Sequence, residues 1–81
     1  MICEIDRCQK TVGGKNTEYR LERTKEAHYE IVITRDCESV REEFYGSFFD
    51  IAELYKMIVE TDTLPENLVD ISQDIKSCHI M

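Results

Sequence analysis

The stretch that most constrains the fold is residues 47–76, SFFDIAELYKMIVETDTLPENLVDISQDIK. Its apolar residues recur every three or four positions, which places them on one side of a helix. This pattern predicts two amphipathic helices, over about residues 48–61 and 64–76, followed by a tail at 77–81 that frays. The apolar stripes consist of Ile51, Leu54, Tyr55 and Ile58 in the first helix and of Leu64, Leu68, Ile71 and Ile75 in the second.

Capping residues set the starts of both helices. Ser47 can accept hydrogen bonds from the free N–H groups of the first turn, and Asp50 follows where a negative charge favours the positive end of the helix dipole. Thr63 and Glu66 have the spacing of a capping box, and Pro65 between them is tolerated in a first turn.

The rest of the chain predicts strands over about residues 2–11, 17–24, 28–35 and 40–46. In the first of these, Ile2, Cys3, Ile5 and Cys8 allow an edge strand but do not alternate strictly. Tyr19 and Leu21 point to one side of the second strand and charged residues to the other. Gly13 and Gly14 predict a hairpin turn, with Lys15-Asn16 as a possible extension of the loop. Strands followed by helices predict an α+β fold, in which an antiparallel sheet of three to four strands is followed by two helices packed on one face.

The length of 81 residues predicts a single small domain, residues 1–81. Its net charge of −7 is uneven, because residues 1–41 are neutral overall and residues 42–81 carry the whole excess. This acidic helical half disfavours binding to nucleic acid through a basic patch. It disfavours binding to anionic membranes for the same reason.

The cysteines favour a reducing compartment. Cys3, Cys8, Cys37 and Cys78 show no CxxC spacing, and the first residues do not form a secretory signal. No apolar run approaches the length of a membrane span. We therefore expect a cytoplasmic protein with reduced thiols.

An acidic row is the first candidate partner-binding feature. Glu66, Asp70 and Asp74 recur every fourth residue on one face of the second helix. The row is either a docking face for a basic partner or a solvated face that keeps an acidic protein in solution. A third hypothesis is a nucleic-acid mimic that binds a basic protein groove, which requires Glu53, Glu60 and Asp62 to extend the row.

The second candidate is the pair Phe48-Phe49 at the start of the first helix. Two adjacent aromatic residues of a helix cannot both face the same core. Either one of them is exposed, which would suit a homodimer interface or a partner groove, or both are tucked under the corner between strand and helix.

The sequence contains no clear motif for catalysis, metal binding or cofactor binding. Cysteine and histidine residues are numerous enough for a small-ligand or metal-binding domain, but no two cysteines have zinc-site spacing, and small apolar fillers are the simpler interpretation. No catalytic residue, metal ligand or cofactor-binding residue can be named. We expect a non-enzymatic protein-interaction or regulatory module without a cofactor.

Four segments carry a resemblance to a known family, namely EYRL at 18–21, HYEIVI at 28–33, FDIAELYKMI at 49–58 and LPENLVDISQDI at 64–75. Their order resembles that of a family of small uncharacterised bacterial proteins, a domain of unknown function. The resemblance covers residues 17–76 and implies a cytoplasmic bacterial protein. It transfers no activity, cofactor or site residue to this chain.

Overall fold

Four strands precede two helices in the computed structural model, which describes the backbone of residues 3–78 and the side chains of residues 3–73. The strands pair in chain order as a fully antiparallel sheet, β1-β2-β3-β4. Both helices contact the sheet, so the predicted α+β class is confirmed. The elements are β1 Cys3–Val12, β2 Lys15–Lys25, β3 His28–Arg35, β4 Glu38–Tyr45, α1 Phe48–Glu60 and α2 Pro65–Cys78.

The structure extends four elements beyond the bounds that the sequence indicates. β1 reaches Val12, and β4 begins at Glu38 rather than at residue 40. Lys15 and Asn16 do not extend the first loop but begin β2, because Gly13 and Gly14 alone complete the turn with φ angles of 58° and 80°. The tail begins later than residue 77, since Ser77 and Cys78 still belong to α2. Residues 79–81 lie outside the described residues.

All three connections within the sheet are two residues long. Ala27 and Asp36 supply the left-handed residues of the second and third turns, with φ angles of 61° and 59°. Such angles cost a residue with a Cβ atom about 1–2 kcal/mol. The pairing of the flanking strands therefore holds these two turns in a strained conformation.

Ala27→Gly is expected to raise the free energy of unfolding by about 0.5–1 kcal/mol. The substitution removes the left-handed strain, and the greater freedom of glycine in the unfolded chain offsets part of that gain. Urea unfolding followed by circular dichroism measures the change. Ala52→Gly in the middle of α1 is the matched control and should lose about 1 kcal/mol. A loss of stability at both positions would contradict the assignment of strain to Ala27.

The core lies between one face of the sheet and the two helices. α1 lies closest to β2, and α2 contacts β4 and β3. The predicted stripes provide the helical side, with Ile51, Tyr55, Ile58 and Leu68 buried. The sheet contributes the buried residues Tyr19, Leu21, Tyr29, Ile31, Ile33 and Phe44.

The opposite face of the sheet has no helix over it among the described residues, yet Val32 at its centre is fully buried. Val32 lies between Arg20 on β2 and Arg41 on β4 in the strand register. Arg20 pairs with Glu18 at 3.4 Å and Arg41 with Glu30 at 3.1 Å. We conclude that the aliphatic parts of the two arginines cover Val32, while their guanidinium groups stay in the ionic surface.

Candidate interaction surface

The first two residues of the acidic row lie on the outer surface of α2. Glu66 and Asp70 are exposed, and Asp74 belongs to α2 but its side chain is outside the described residues. Two of the three carboxylates that would extend the row have basic partners. Asp62 pairs with Lys10 at 2.5 Å and Glu60 approaches Lys56 at 4.0 Å. These pairs reduce the negative charge of the extension that a nucleic-acid mimic requires.

Phe48 and Phe49 are both exposed, by 52% and 71%. Their surroundings differ. The ring of Phe48 packs at 6.2 Å from that of Tyr29 and lines a groove beside β1, whereas Phe49 does not line that groove. The two adjacent phenylalanines are thus a natural comparison pair for experiments.

The described thiols and His28 do not form a metal-binding group. Cys3 and Cys37 are exposed free cysteines and Cys8 is a half-buried one. His28 packs edge-on against Tyr45, with ring centres 4.5 Å apart. In the described part of the chain no three Cys, His, Asp or Glu side chains are grouped so as to hold a metal ion. The side chains of Cys78 and His79 lie outside the described side chains.

An apolar groove of about 410 Å³ runs between β1 and α1. It arises because α1 lies over β2 rather than over the outermost strand, which leaves the helix-facing side of β1 uncovered. Its apolar lining comes from Ile5, Cys8, Leu21, Phe48, Ala52, Tyr55 and Val59. Asp6, Lys56 and Glu60 form its polar rim. We call this feature the β1–α1 groove.

The groove lies beside an open sheet edge. Within residues 3–78, β1 pairs only with β2. The two-residue turn makes Val12 and Lys15 a hydrogen-bonded pair, and such pairs alternate along an antiparallel ladder. The backbone N–H and C=O groups of Arg7, Gln9 and Thr11 therefore point away from β2, towards the open edge.

Asp6 shields part of this edge. Its carboxylate accepts a hydrogen bond of 2.8 Å from the outward N–H of Arg7. The bulge between Glu4 and Asp6 adds an irregularity at the same end of β1. A charged residue and a bulge are both common means of protecting an exposed edge strand. The edge is thus guarded near Arg7 and open from there to Thr11.

Lys10 closes the other end of the groove. Its ammonium group donates a hydrogen bond of 3.0 Å to the carbonyl of Val59 in the last turn of α1 and forms an ion pair with Asp62. The hydrogen bond to Asp62 raises the pKa of Lys10, and burial opposes this effect. A cation at a helix C-terminus is favourable to the helix dipole, so Lys10 ties the end of α1 to β1.

Two tyrosines fix α1 over β2. Tyr55 donates a hydrogen bond of 2.9 Å to the carbonyl of Tyr19, and Tyr19 donates one of 2.9 Å to the carbonyl of Thr63 after α1. Burial raises the pKa of both hydroxyl groups above the ordinary range of tyrosine. Because these bonds join helix, strand and helix connection, they hold the inner wall of the groove in place.

Sequence reasoning did not find the groove. Ile5 and Cys8 indicate an edge strand that does not alternate strictly, and the bulge next to Ile5 explains this irregularity. The position of α1 across the sheet leaves no sequence signal, because it depends on how several side chains pack together. Among the described candidates for partner binding, Glu66, Asp70, Phe48 and Phe49, only Phe48 lines the groove.

No helix within residues 3–78 is both long and apolar enough to cross a membrane. The chain matches no protein-family model, no curated protein and no solved structure. The resemblance to a bacterial family of unknown function therefore stays a prediction.

Proposed function

We propose that the protein is a small non-enzymatic interaction module that binds another polypeptide at the β1–α1 groove and the neighbouring edge of β1. The observation that supports this proposal best is the apolar groove beside the open edge. A polypeptide that adds a strand to such an edge gains backbone hydrogen bonds, and the pocket beside the edge can take up its side chains. Exposed aromatic residues such as Phe48 are frequent anchors of interfaces.

A cytoplasmic location is part of the proposal. The described cysteines are free thiols, and two of them, Cys3 and Cys37, are exposed. Exposed free thiols persist in reducing compartments. The acidic row of α2 has no apolar groove comparable to that beside β1 among its described neighbours, so we propose the groove rather than the row as the binding surface.

The test is photo-crosslinking in living cells from single positions of the full chain. A photoreactive phenylalanine derivative replaces Phe48 in the groove or, as the matched control, Met57, which is 45% exposed on the outer side of α1. We expect a discrete crosslinked species from position 48 and none from position 57. The purified species should then bind the protein, and Ala52→Arg, which fills the groove from its helical wall, should abolish binding. Equal crosslinking from both positions, or none from position 48, would refute the proposed surface.

A further inference from the structure

We infer that the polypeptide bound at this edge is a second copy of the chain, and that the two β1 strands pair antiparallel around a two-fold axis between their Cys8 residues. This inference rests on the proposed function and names its partner. It follows from the backbone groups that β1 leaves open, from the charges along β1 and from the shape of the groove.

The open backbone groups of β1 limit the positions of the two-fold axis. A two-fold axis perpendicular to the sheet places opposed side chains of the two copies on the same face. Because side chains alternate between faces along a strand, the axis must then pass through a residue of β1 and not between two residues. Axes at Arg7, Cys8, Gln9 or Lys10 all place some of the open groups of Arg7, Gln9 and Thr11 opposite one another. With the axis at Cys8, the outward groups of Arg7 face those of Gln9 in the second copy, which forms two hydrogen-bonded pairs by symmetry.

The charges select among these registers. An axis at Arg7 or at Lys10 places two like charges directly opposite each other, which is destabilising. An axis at Gln9 forms no ion pair, because it places Asp6 opposite Val12. Only the axis at Cys8 brings Asp6 opposite Lys10 of the second copy, and it does so twice. Both residues lie on the helix-facing side of β1, since Asp6 pairs with Leu21 and Lys10 with Thr17 in the register.

Pairing of the two β1 strands would exchange the hydrogen-bond partners of Asp6 and of the Arg7 N–H. In the single chain its carboxylate accepts the hydrogen bond from the Arg7 N–H. On strand pairing that N–H donates to the Gln9 carbonyl of the second copy, and the carboxylate is released to meet Lys10. The ammonium of Lys10 has three donors, of which Val59 and Asp62 accept two. One donor therefore remains for Asp6 of the second copy.

The groove accounts for the apolar part of the interface. Neighbouring strands of a sheet lie about 4.8 Å apart, so in the dimer the two β2 strands, each below an α1 helix, would be about 14 Å apart. Two helices in contact lie only about 8–10 Å apart, so the two α1 helices of the dimer would not touch each other. They would leave a trough above the two β1 strands. Phe48 lies at the Ile5 end of the groove and Val59 at the Lys10 end. The two-fold axis brings Phe48 of each copy towards Val59 of the other, and these side chains cover the trough.

Sedimentation velocity of the full chain with reductant tests the inference. We expect a concentration-dependent dimer. Asp6→Lys and Lys10→Glu should each raise the dimer dissociation constant about tenfold or more, because like charges then face each other twice. An equimolar mixture of the two variants should associate again, since the mixed dimer restores both opposite-charge pairs. Phe48→Asp should weaken the dimer, whereas Phe49→Asp beside it should not.

Crosslinking reports the register without altering charge. In a chain that keeps only Cys8, with Cys3, Cys37 and Cys78 replaced by serine, diamide should oxidise two Cys8 thiols to an intermolecular disulfide by accepting two electrons and two protons. Opposed residues that are not hydrogen-bonded have Cα atoms about 4.5 Å apart, within the range of disulfides. The same chain with Cys8→Ser and Gln9→Cys should crosslink much more slowly.

A monomer at all concentrations would overturn the inference, and so would faster crosslinking at position 9 than at Cys8. If the protein is monomeric and position 48 still crosslinks to a different protein, the proposed function stands and only the second copy is excluded. If position 48 crosslinks to nothing and the protein is monomeric, both fail. Thermal unfolding of each variant confirms that it remains folded.

Discussion

Ile58→Ala is expected to lower the free energy of unfolding by about 2–5 kcal/mol, the range for removing a buried branched side chain and leaving a cavity. Ile58 is fully buried on the sheet-facing side of α1 and belongs to the core cluster. A domain of this size has a total stability of about 4–12 kcal/mol. The substitution therefore removes a large part of the stability and is expected to lower the melting temperature by about 10 °C or more.

Met57→Ala is the matched control, since Met57 neighbours Ile58 but is 45% exposed on the outer side of α1. Surface substitutions of this kind change stability by about 0.5 kcal/mol or less. Urea unfolding followed by circular dichroism measures both variants. If the two losses were equal, α1 would not dock through the side that the structure assigns to the core.

Stability is expected to fall steeply above pH 10 because of Tyr19 and Tyr55. Burial raises the pKa of both hydroxyls in the folded state, so the folded protein retains protons that unfolded tyrosine releases from about pH 10. The stability from this effect is complete below pH 10 and is lost as the pH rises towards the folded pKa values. Each tyrosine contributes a slope of up to about 1.4 kcal/mol per pH unit in that range.

Comparison of the protein with the variant Tyr19→Phe/Tyr55→Phe isolates this effect. The double variant is less stable at pH 7 by about 1 kcal/mol for each hydrogen bond lost, but its stability should decline less between pH 10 and 12. Lys10, whose pKa is also raised, acts in the same direction and is present in both proteins, so its effect cancels. Tyr45, whose pKa is raised by its hydrogen bond to Glu43, is likewise present in both proteins. Parallel pH profiles for the double variant and the original protein would contradict the assignment.

Local pattern was sufficient to predict the elements and their order. Tyr19 and Leu21 share the buried side of β2, as their alternation indicates, and Ser47 caps α1 by accepting a hydrogen bond of 3.2 Å from the Asp50 N–H. Ile51, Tyr55 and Ile58 form the buried side of α1. These features depend on residues close together in the chain, which is why spacing alone reveals them.

Features that depend on neighbours across the sheet were not predictable. Val32 belongs to the polar side of β3 by alternation, yet it is fully buried because Arg20 and Arg41 flank it on other strands. The β1–α1 groove arises from the lateral position of α1. In both cases the deciding contacts join distant parts of the chain.

The three two-residue connections bear on how the chain reaches this structure. Each strand pairs with the next one along the sequence, so closing each hairpin fixes only a short loop. Proteins whose contacts are local in sequence fold faster than proteins of similar stability with distant pairings. The sheet can therefore form by successive addition of hairpins, and the open edge of β1 exists as soon as the β1–β2 hairpin has formed.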